Sequence, residues 1–494
     1  GRQYGVIRDL NFKHQRYAGV HNGSASYVTV TGCTIEDVYH GIRSYGFYDN
    51  YSGNIIRRTY ASGCILIDQN SLFENNVVTD IALTVGMGET SWGYFGVRAI
   101  GTGNIIRGNR FDNIGYTAIE AGQNQLVEKN AISNYTVTLN DGGGINFDNA
   151  NGLIVQDNVI RDPIGGLDGS ATNMPHYQHL GVGIYFGNTS IVNTTVQRNH
   201  LYHILGVGIN VDHCMNSTNL KIKDNTIFNA GIGMSISDYS NNNGPNAVPP
   251  YHVPSYNDEF TGNTIYALGK DKLCLRFYNC YSANVVDFGT FANNKYYAPY
   301  NELCIFTHNL FNTVQKYYTL EKWQVERGED AGSSRSPMRQ TELATTSELS
   351  GNLVINGDFA SNVTGWGGWP TNAQVTRITT NLDNGCLKAY LPNPSIASGF
   401  AMRNPDWFSI TNGQWYRMRV SLQAPAEGLM KVGLKAQSTL SDPYAIGERY
   451  IPFGTERRDL EIYFQSNITD VAQIRLINEY TEPTYYLDNV DVRR

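Results

Sequence analysis

Along the first three hundred residues the apolar positions alternate over very short stretches, and an asparagine stands before each stretch. In Asn109-Arg110-Phe111, Asn130-Ala131-Ile132, Asn158-Val159-Ile160, Asn199-His200-Leu201, Asn225-Thr226-Ile227 and Asn263-Thr264-Ile265, a bulky apolar residue follows two positions later. Between these copies runs a second phrase, a small residue and then Val, Ile or Met: Gly96-Val97, Ala118-Ile119, Gly144-Ile145, Gly183-Ile184, Gly208-Ile209, Gly233-Met234. Short strands joined by turns that demand asparagine predict a chain winding around one axis, a right-handed parallel β-helix.

The asparagines from 109 onward are spaced by 21, 28, 41, 26 and 38 residues. A coil of three short strands and three turns needs roughly 20 to 25 residues, so the excess must project as loops. The longest excursions fall at about 85–95, 163–181 and 239–258, all rich in turn-forming residues. Asparagine suits the turn because it tolerates the left-handed backbone and can bond to its counterpart one coil away. Helix content should be small.

The coil is expected to end near Asn294-Lys295-Tyr296-Tyr297 and Tyr318-Thr319-Leu320-Glu321-Lys322-Trp323-Gln324. A polar stretch around Gly328-Glu329-Asp330-Ala331-Gly332-Ser333-Ser334 reads as a linker. A second pattern opens at Asn352-Leu353-Val354-Ile355-Asn356-Gly357-Asp358-Phe359 and closes at Tyr486-Leu487-Asp488-Asn489-Val490, with strand alternation between, as in 416–422. The expected organisation is all-β: a parallel β-helix over 1–326, a linker over 327–350 and a β-sandwich over 351–494.

Composition narrows the partners. Charged residues are 16% of the 494, and the net charge is -7, which offers no basic face to phosphates and argues against nucleic acid. An uncharged polar surface rich in Tyr, Asn and Gly suits sugars. No apolar run is long enough to cross a bilayer. Seven cysteines without paired spacing do not make a disulfide framework, and Cys274 and Cys304 read as buried thiols in adjacent coils. No signal peptide is present, yet strand-like sequence begins at once (Tyr4-Gly5-Val6-Ile7), so upstream residues are expected to have been cleaved or to lie outside this numbering.

The coil also restricts the chemistry. With the Ile/Val column inside, the next residue of each rung points out: His21, Arg43, Arg98, Glu120, Asn146, Tyr185, Asn210, Ser235, Arg276. Two residues on, a second outward column reads Gly23, Tyr45, Ile100, Gly122, Asp148, Gly187, Asp212, Ser237, Tyr278. Glu120 and Asp148, one coil and two residues apart, should sit roughly 8 Å apart, and Asp148 and Asp212 roughly 10 Å. Inverting glycosidases separate acid and base by about 6.5–9.5 Å, retaining ones by about 5–5.5 Å, so the spacing points to inversion. Asp141, opening Asp141-Gly142-Gly143-Gly144, is the fourth candidate; its bland reading is a turn-capping residue. Taken singly, Asp148, Asp212 and Glu120 are also compatible with solvated ladder residues. Arg43, Arg98, Asn146, Tyr185, Asn210 and His213 are candidate substrate contacts. The arginines suit sulfate or carboxylate on an anionic glycan, or pairing with neighbouring acids.

Two resemblances add to this reading. The coil of 1–326 resembles the pectate-lyase-like β-helix superfamily of carbohydrate-active proteins, whose closing segment, with its short helix, 318–324 also resembles. The superfamily implies a polysaccharide rather than a particular bond. The opening "NGDF" with "GW" and the closing "YLDNV" resemble carbohydrate-binding modules of the family-4/9 jelly-roll type, over about 145 residues. In such modules the terminal acids hold a structural calcium. Here they would be Asp358 and Asp488, with Ala360 standing where the family often has a further acid. Trp366 reads as core and Trp369, beside Pro370, as a sugar-stacking platform.

These readings imply a secreted or cell-surface bacterial glycoside hydrolase, monomeric, with no cofactor for catalysis and no membrane insertion. Two alternatives stay open. A polysaccharide lyase would use Arg43 and Arg98 to neutralise a uronate and His21, His213 or Tyr185 as base, although no lysine falls in the outward columns. A non-catalytic or phage-tailspike-like adhesin would be a stable trimer that binds glycans without cleaving them.

Overall fold

The structure, a computed structural model, describes residues 4–166, 180–187, 190–212, 217–238, 255–279, 285–309, 314–337, 343–369, 374–383, 385–390, 400–403, 406–438, 446–478 and 483–494. It forms two compact units, 1–338 and 339–494.

The first unit is a parallel β-helix. Each turn of the chain visits three sheets in order, as in the rung Ile105–Arg107, Arg110–Ile114, Ile119–Ala121. Among the described residues the sheets hold 11, 12 and 12 strands, each paired in parallel with its counterpart one rung away except the last strand of the third sheet. In the third sheet Ile42, Cys64, Val97, Ile119, Ile145, Ile184, Ile209, Met234 and Leu275 lie in register, all buried. The small residue before each is required by close approach. A Cβ on Gly183 would collide with the carbonyl of Gly208 in the next rung and with Leu201.

The asparagines form a ladder at the turn between the first and second sheets, but not as residues of left-handed backbone. That conformation falls on the residue before each: Gly108 (φ 66°), Lys129 (56°), Asp157 (56°), Arg198 (54°), Asp224 (56°) and Gly262 (68°). The asparagine is there for its amide. Asn158 donates its backbone N–H and Nδ2 to Oδ1 of Asn199 and a second Nδ2 hydrogen to the carbonyl of Val127, while its own Oδ1 accepts twice from Asn130. The column runs from Asn54 to Asn294, every member buried.

The upper end is closed as the sequence suggested, and more besides. Val314–Tyr318 adds an antiparallel strand to the third sheet, and the helix Leu320–Arg327 follows, capped by the Thr319 side chain and by Gly328 in the left-handed conformation. Trp323, fully buried, stacks on Phe277 at 4.8 Å. The linker reading of 327–350 needs correcting at its start. Buried Asp330 accepts hydrogen bonds from Asn294 and Tyr296, and Ser334–Arg335 pairs in parallel with Lys295 and Tyr296. These polar residues end the asparagine ladder, so their polarity signals capping and not freedom.

The second unit is a β-sandwich of two antiparallel sheets. Its two sequence signatures meet: Asn352 donates to the carbonyl of Val490 and accepts from the N–H of Val492, and the N–H of Val490 bonds to Gly357. Trp366 is core, 6% exposed, with its indole N–H on the carbonyl of Asn356.

Candidate functional site

Parallel register carries the outward residues of the third sheet into one column: His21, Arg43, Ile65, Arg98, Glu120, Asn146, Tyr185, Asn210, Ser235, Arg276, Phe306. Ile65 and Phe306 complete it; Cys64 stands where the Ile65 rung would show Val, Ile or Met, and Cys304 where the Phe306 rung would show a glycine or alanine. In the middle of this face lies an open depression of about 550 Å³, lined by Arg98, Glu120, Asp148, Gly122, Gln69 and Gln123 among others.

Glycine shapes the depression. Glu120 pairs with Asn146, so Asp148, two residues on, occupies the rung above Gly122, and the N–H of Gly187 bonds to the carbonyl of Phe147 to place a second glycine above it. A Cβ on Gly187 would come within 2.8 Å of Oδ1 of Asp148. Missing side chains on both sides thus leave the carboxyl in a hollow, where Oδ1 is shielded and has no hydrogen bond among the described residues.

The two acids are held differently. Glu120, 8% exposed, receives Nε of Arg98 at 2.7 Å. Burial raises its pKa from the usual carboxylate value while the charge and hydrogen bond of Arg98 oppose the rise. Among the described residues Asp148 has no such hydrogen-bonded cation. Burial first, and then the Glu120 charge, push it up to about 7 against the pull of Arg98. Burial thus raises both carboxyls, and the asymmetry between them is the hydrogen-bonded Arg98, which opposes the rise at Glu120.

The other predicted acids border the same place. Tyr116, buried, donates its hydroxyl to the carbonyl of Asp141 at 2.8 Å, and its phenol lies in the field of Asp141, Glu120 and Asp148. Asp141 has left-handed backbone (φ 60°), so it is a turn residue as well as a neighbour of the site. The phenol of Tyr185 is pushed well above its ordinary value by burial and then by Asp141, Asp212 and Asp148. Asn146 and Asn210 flank Tyr185 in the column, and the side-chain amide oxygen of Asn146 is buried without a partner among the described residues. Arg43 lies three rungs below Glu120 and is tied to Glu89 at 2.7 Å, a residue of the 85–95 excursion, and to Tyr45. His213 lies outside the described residues, as do 167–179 and 239–254, most of the other two excursions. Tyr116, Gln69 and Gln123 escape sequence reasoning because they sit on turns, beyond the strand pattern. The two glycines beside Asp148, in contrast, already stand in the outward column.

In the sandwich, Trp369 pairs through its backbone with Ala401; its side chain lies outside the described structure. Asp488 is buried, and burial, Asp383 and Asp358 push its carboxyl up to about 6. A cation would relieve that crowding of charge. However, among the described residues no three acidic, imidazole or thiol groups converge on one point, so Asp358 and Asp488 would need backbone carbonyls to complete a calcium shell.

The family model for the right handed beta helix region matches residues 89–247. No curated protein matches the chain in sequence. Among solved structures, a Paenibacillus sp. alginate lyase aligns at 12% identity over 43% of this chain and 73% of its own, with a TM-score of 0.33. A CBM4 structure aligns at 16% identity over 28% of this chain and 98% of its own, TM-score 0.24. The CBM22-1 xylan-binding domain of a Paenibacillus barcinonensis protein aligns at 12% over 28% and 90%, TM-score 0.22. The family match and the sheet topology make the chain a right-handed parallel β-helix followed by an antiparallel β-sandwich.

Proposed function

We propose that the protein is a secreted or cell-surface bacterial glycoside hydrolase that cleaves a polysaccharide laid along the third sheet. The observation that carries this reading is the pairing, in one glycine-floored hollow, of Asp148 at about 7 with Glu120 held against Arg98. Asp148, protonated, gives its proton to the glycosidic oxygen as the carbon–oxygen bond breaks. Glu120, whose carboxylate form the Arg98 guanidinium favours, takes a proton from the water that attacks the anomeric carbon. The one-rung, two-residue offset corresponds to roughly 8 Å and favours inversion. Asn146, Tyr185, Asn210 and Asp212 continue the groove as sugar contacts, with Asp141 as a border residue. The sandwich would hold the enzyme on its substrate, with Trp369 as platform and Asp358 and Asp488 about a structural calcium, and so raise the effective concentration.

β-Elimination is disfavoured by Tyr185, whose phenol is pushed further from ionisation instead of toward it. The carboxylates decide the matter experimentally. Asp148→Asn and Glu120→Gln should each lower turnover about a hundredfold or more. If both variants, along with Asp141→Ala and Asp212→Ala, keep full activity on a polysaccharide the parent cleaves, the hydrolase reading fails.

A further inference from the structure

Higher on the same face a third cation is held in a way that sets it apart from the first two. Arg43 has Glu89 and Arg98 has Glu120, each at 2.7 Å. Arg276, partly buried, uses Nε on the hydroxyl of Ser235 at 3.0 Å and lies over the ring of Tyr278, 5.8 Å from its centroid. Among the described residues its two terminal amino groups meet no hydrogen-bond acceptor and no carboxylate within ion-pairing distance. Burial pulls its pKa down and Asp212 is the acid whose field opposes that pull. A guanidinium whose planar fork is left open and partly stripped of water is matched by an oxyanion that accepts two parallel N–H bonds. Ser235, one rung below, and Tyr278, beside it, fix the direction of that fork; His308 packs edge-on to Tyr278 at 5.2 Å and walls the far side.

The position is as informative as the chemistry. Register runs from Asn146 through Tyr185, Asn210 and Ser235 to Arg276, four rungs, or about 19 Å along the axis at about 4.8 Å per rung. A polysaccharide lying in the groove with its scissile bond at Glu120 and Asp148 would therefore carry another of its sugars past Arg276.

We propose that Arg276 is an anion-binding subsite that receives a carboxylate or sulfate group of an acidic polysaccharide, several sugars away from the bond that is cut. The placement of the cut rests on the hydrolase reading; the binding of the anion does not. The test is calorimetric titration of the full chain carrying Asp148→Asn, which keeps the Arg98–Glu120 pair, with three hexasaccharide probes: oligogalacturonate for carboxylate, a carrageenan fragment for sulfate ester, and neutral xylohexaose. One acidic probe should bind about tenfold or more tighter than the neutral one, and which one identifies the anion. Adding Arg276→Gln should abolish that preference and leave neutral binding unchanged. Adding Ser235→Ala, which frees the guanidinium from its guide without removing charge, should weaken the preference about threefold and keeps the test open should Arg276→Gln not fold. Equal binding of all three probes, or a preference that survives both substitutions, overturns the proposal. A wild-type enzyme that fails to hydrolyse the preferred polymer would instead count against the hydrolase reading and leave the subsite standing.

Discussion

At the residue scale the site depends on what surrounds Asp148. Its pKa of about 7 arises from burial and from the Glu120 charge, so the carboxyl is protonated on the acid side of neutrality. A general acid must carry its proton, and turnover should therefore fall as the pH rises through about 7; a pH–rate profile whose alkaline limb lies near that value would agree. The glycine above it is as specific a requirement. Gly187→Ala would set a methyl group 2.8 Å from Oδ1 of Asp148. Because misplacing a reacting group by a fraction of a bond length is costly, kcat should drop about tenfold or more while the fold, followed by circular dichroism, is kept.

At the element scale the asparagine ladder ties one rung to the next. Asn158→Ala would leave the backbone N–H and Nδ2 of Asn130 and the carbonyl of Val127 without their partners in the dry interior. At about 1 to 3 kcal/mol for each orphaned group, the β-helix should lose about 3 kcal/mol or more, measurable as a lower urea midpoint. The same elements show what a sequence can tell. The period of the Asn and Gly-Ile phrases was enough to place Glu120, Asn146, Tyr185 and Asn210 on one column, because a two-residue alternation and a shared axis leave no other register. It could not assign the left-handed backbone to the residue before each asparagine, since Lys129 and Arg198 carry no turn signature. It also missed the role of 328–336, whose polar residues look like linker until the ladder they terminate is seen. Nor could it anticipate the Arg43–Glu89 bond, which depends on how the 85–95 loop folds back.

At the scale of the whole molecule the buried acids set a response to pH. Burial pushes Asp258, 3% exposed, up to about 7 and Asp49, 2% exposed, up to about 6, as it does Asp148. A carboxyl whose folded pKa is raised binds its proton more tightly in the native state, so its stabilising contribution is present at low pH and is lost as pH rises through about 6 to 7. An acid ringed by cations such as Glu36, lowered to about 2 by Lys13 and two arginines, is ionised throughout that window in both states and does not change the balance there. The protein should accordingly melt at a higher temperature near about pH 5 than near about pH 8, and Asp258→Asn should flatten the difference. A melting temperature that rises with pH over that interval would contradict the sign.

The most direct test of the account joins the groove to its chemistry. A polysaccharide cleaved by the wild-type protein is digested in parallel by Asp148→Asn, with new reducing ends and ultraviolet absorbance from any new C=C bond followed together. The account predicts reducing ends without that absorbance and a variant slower by about a hundredfold or more. Absorbance that grows with each cut, or a variant as fast as its parent, would contradict it.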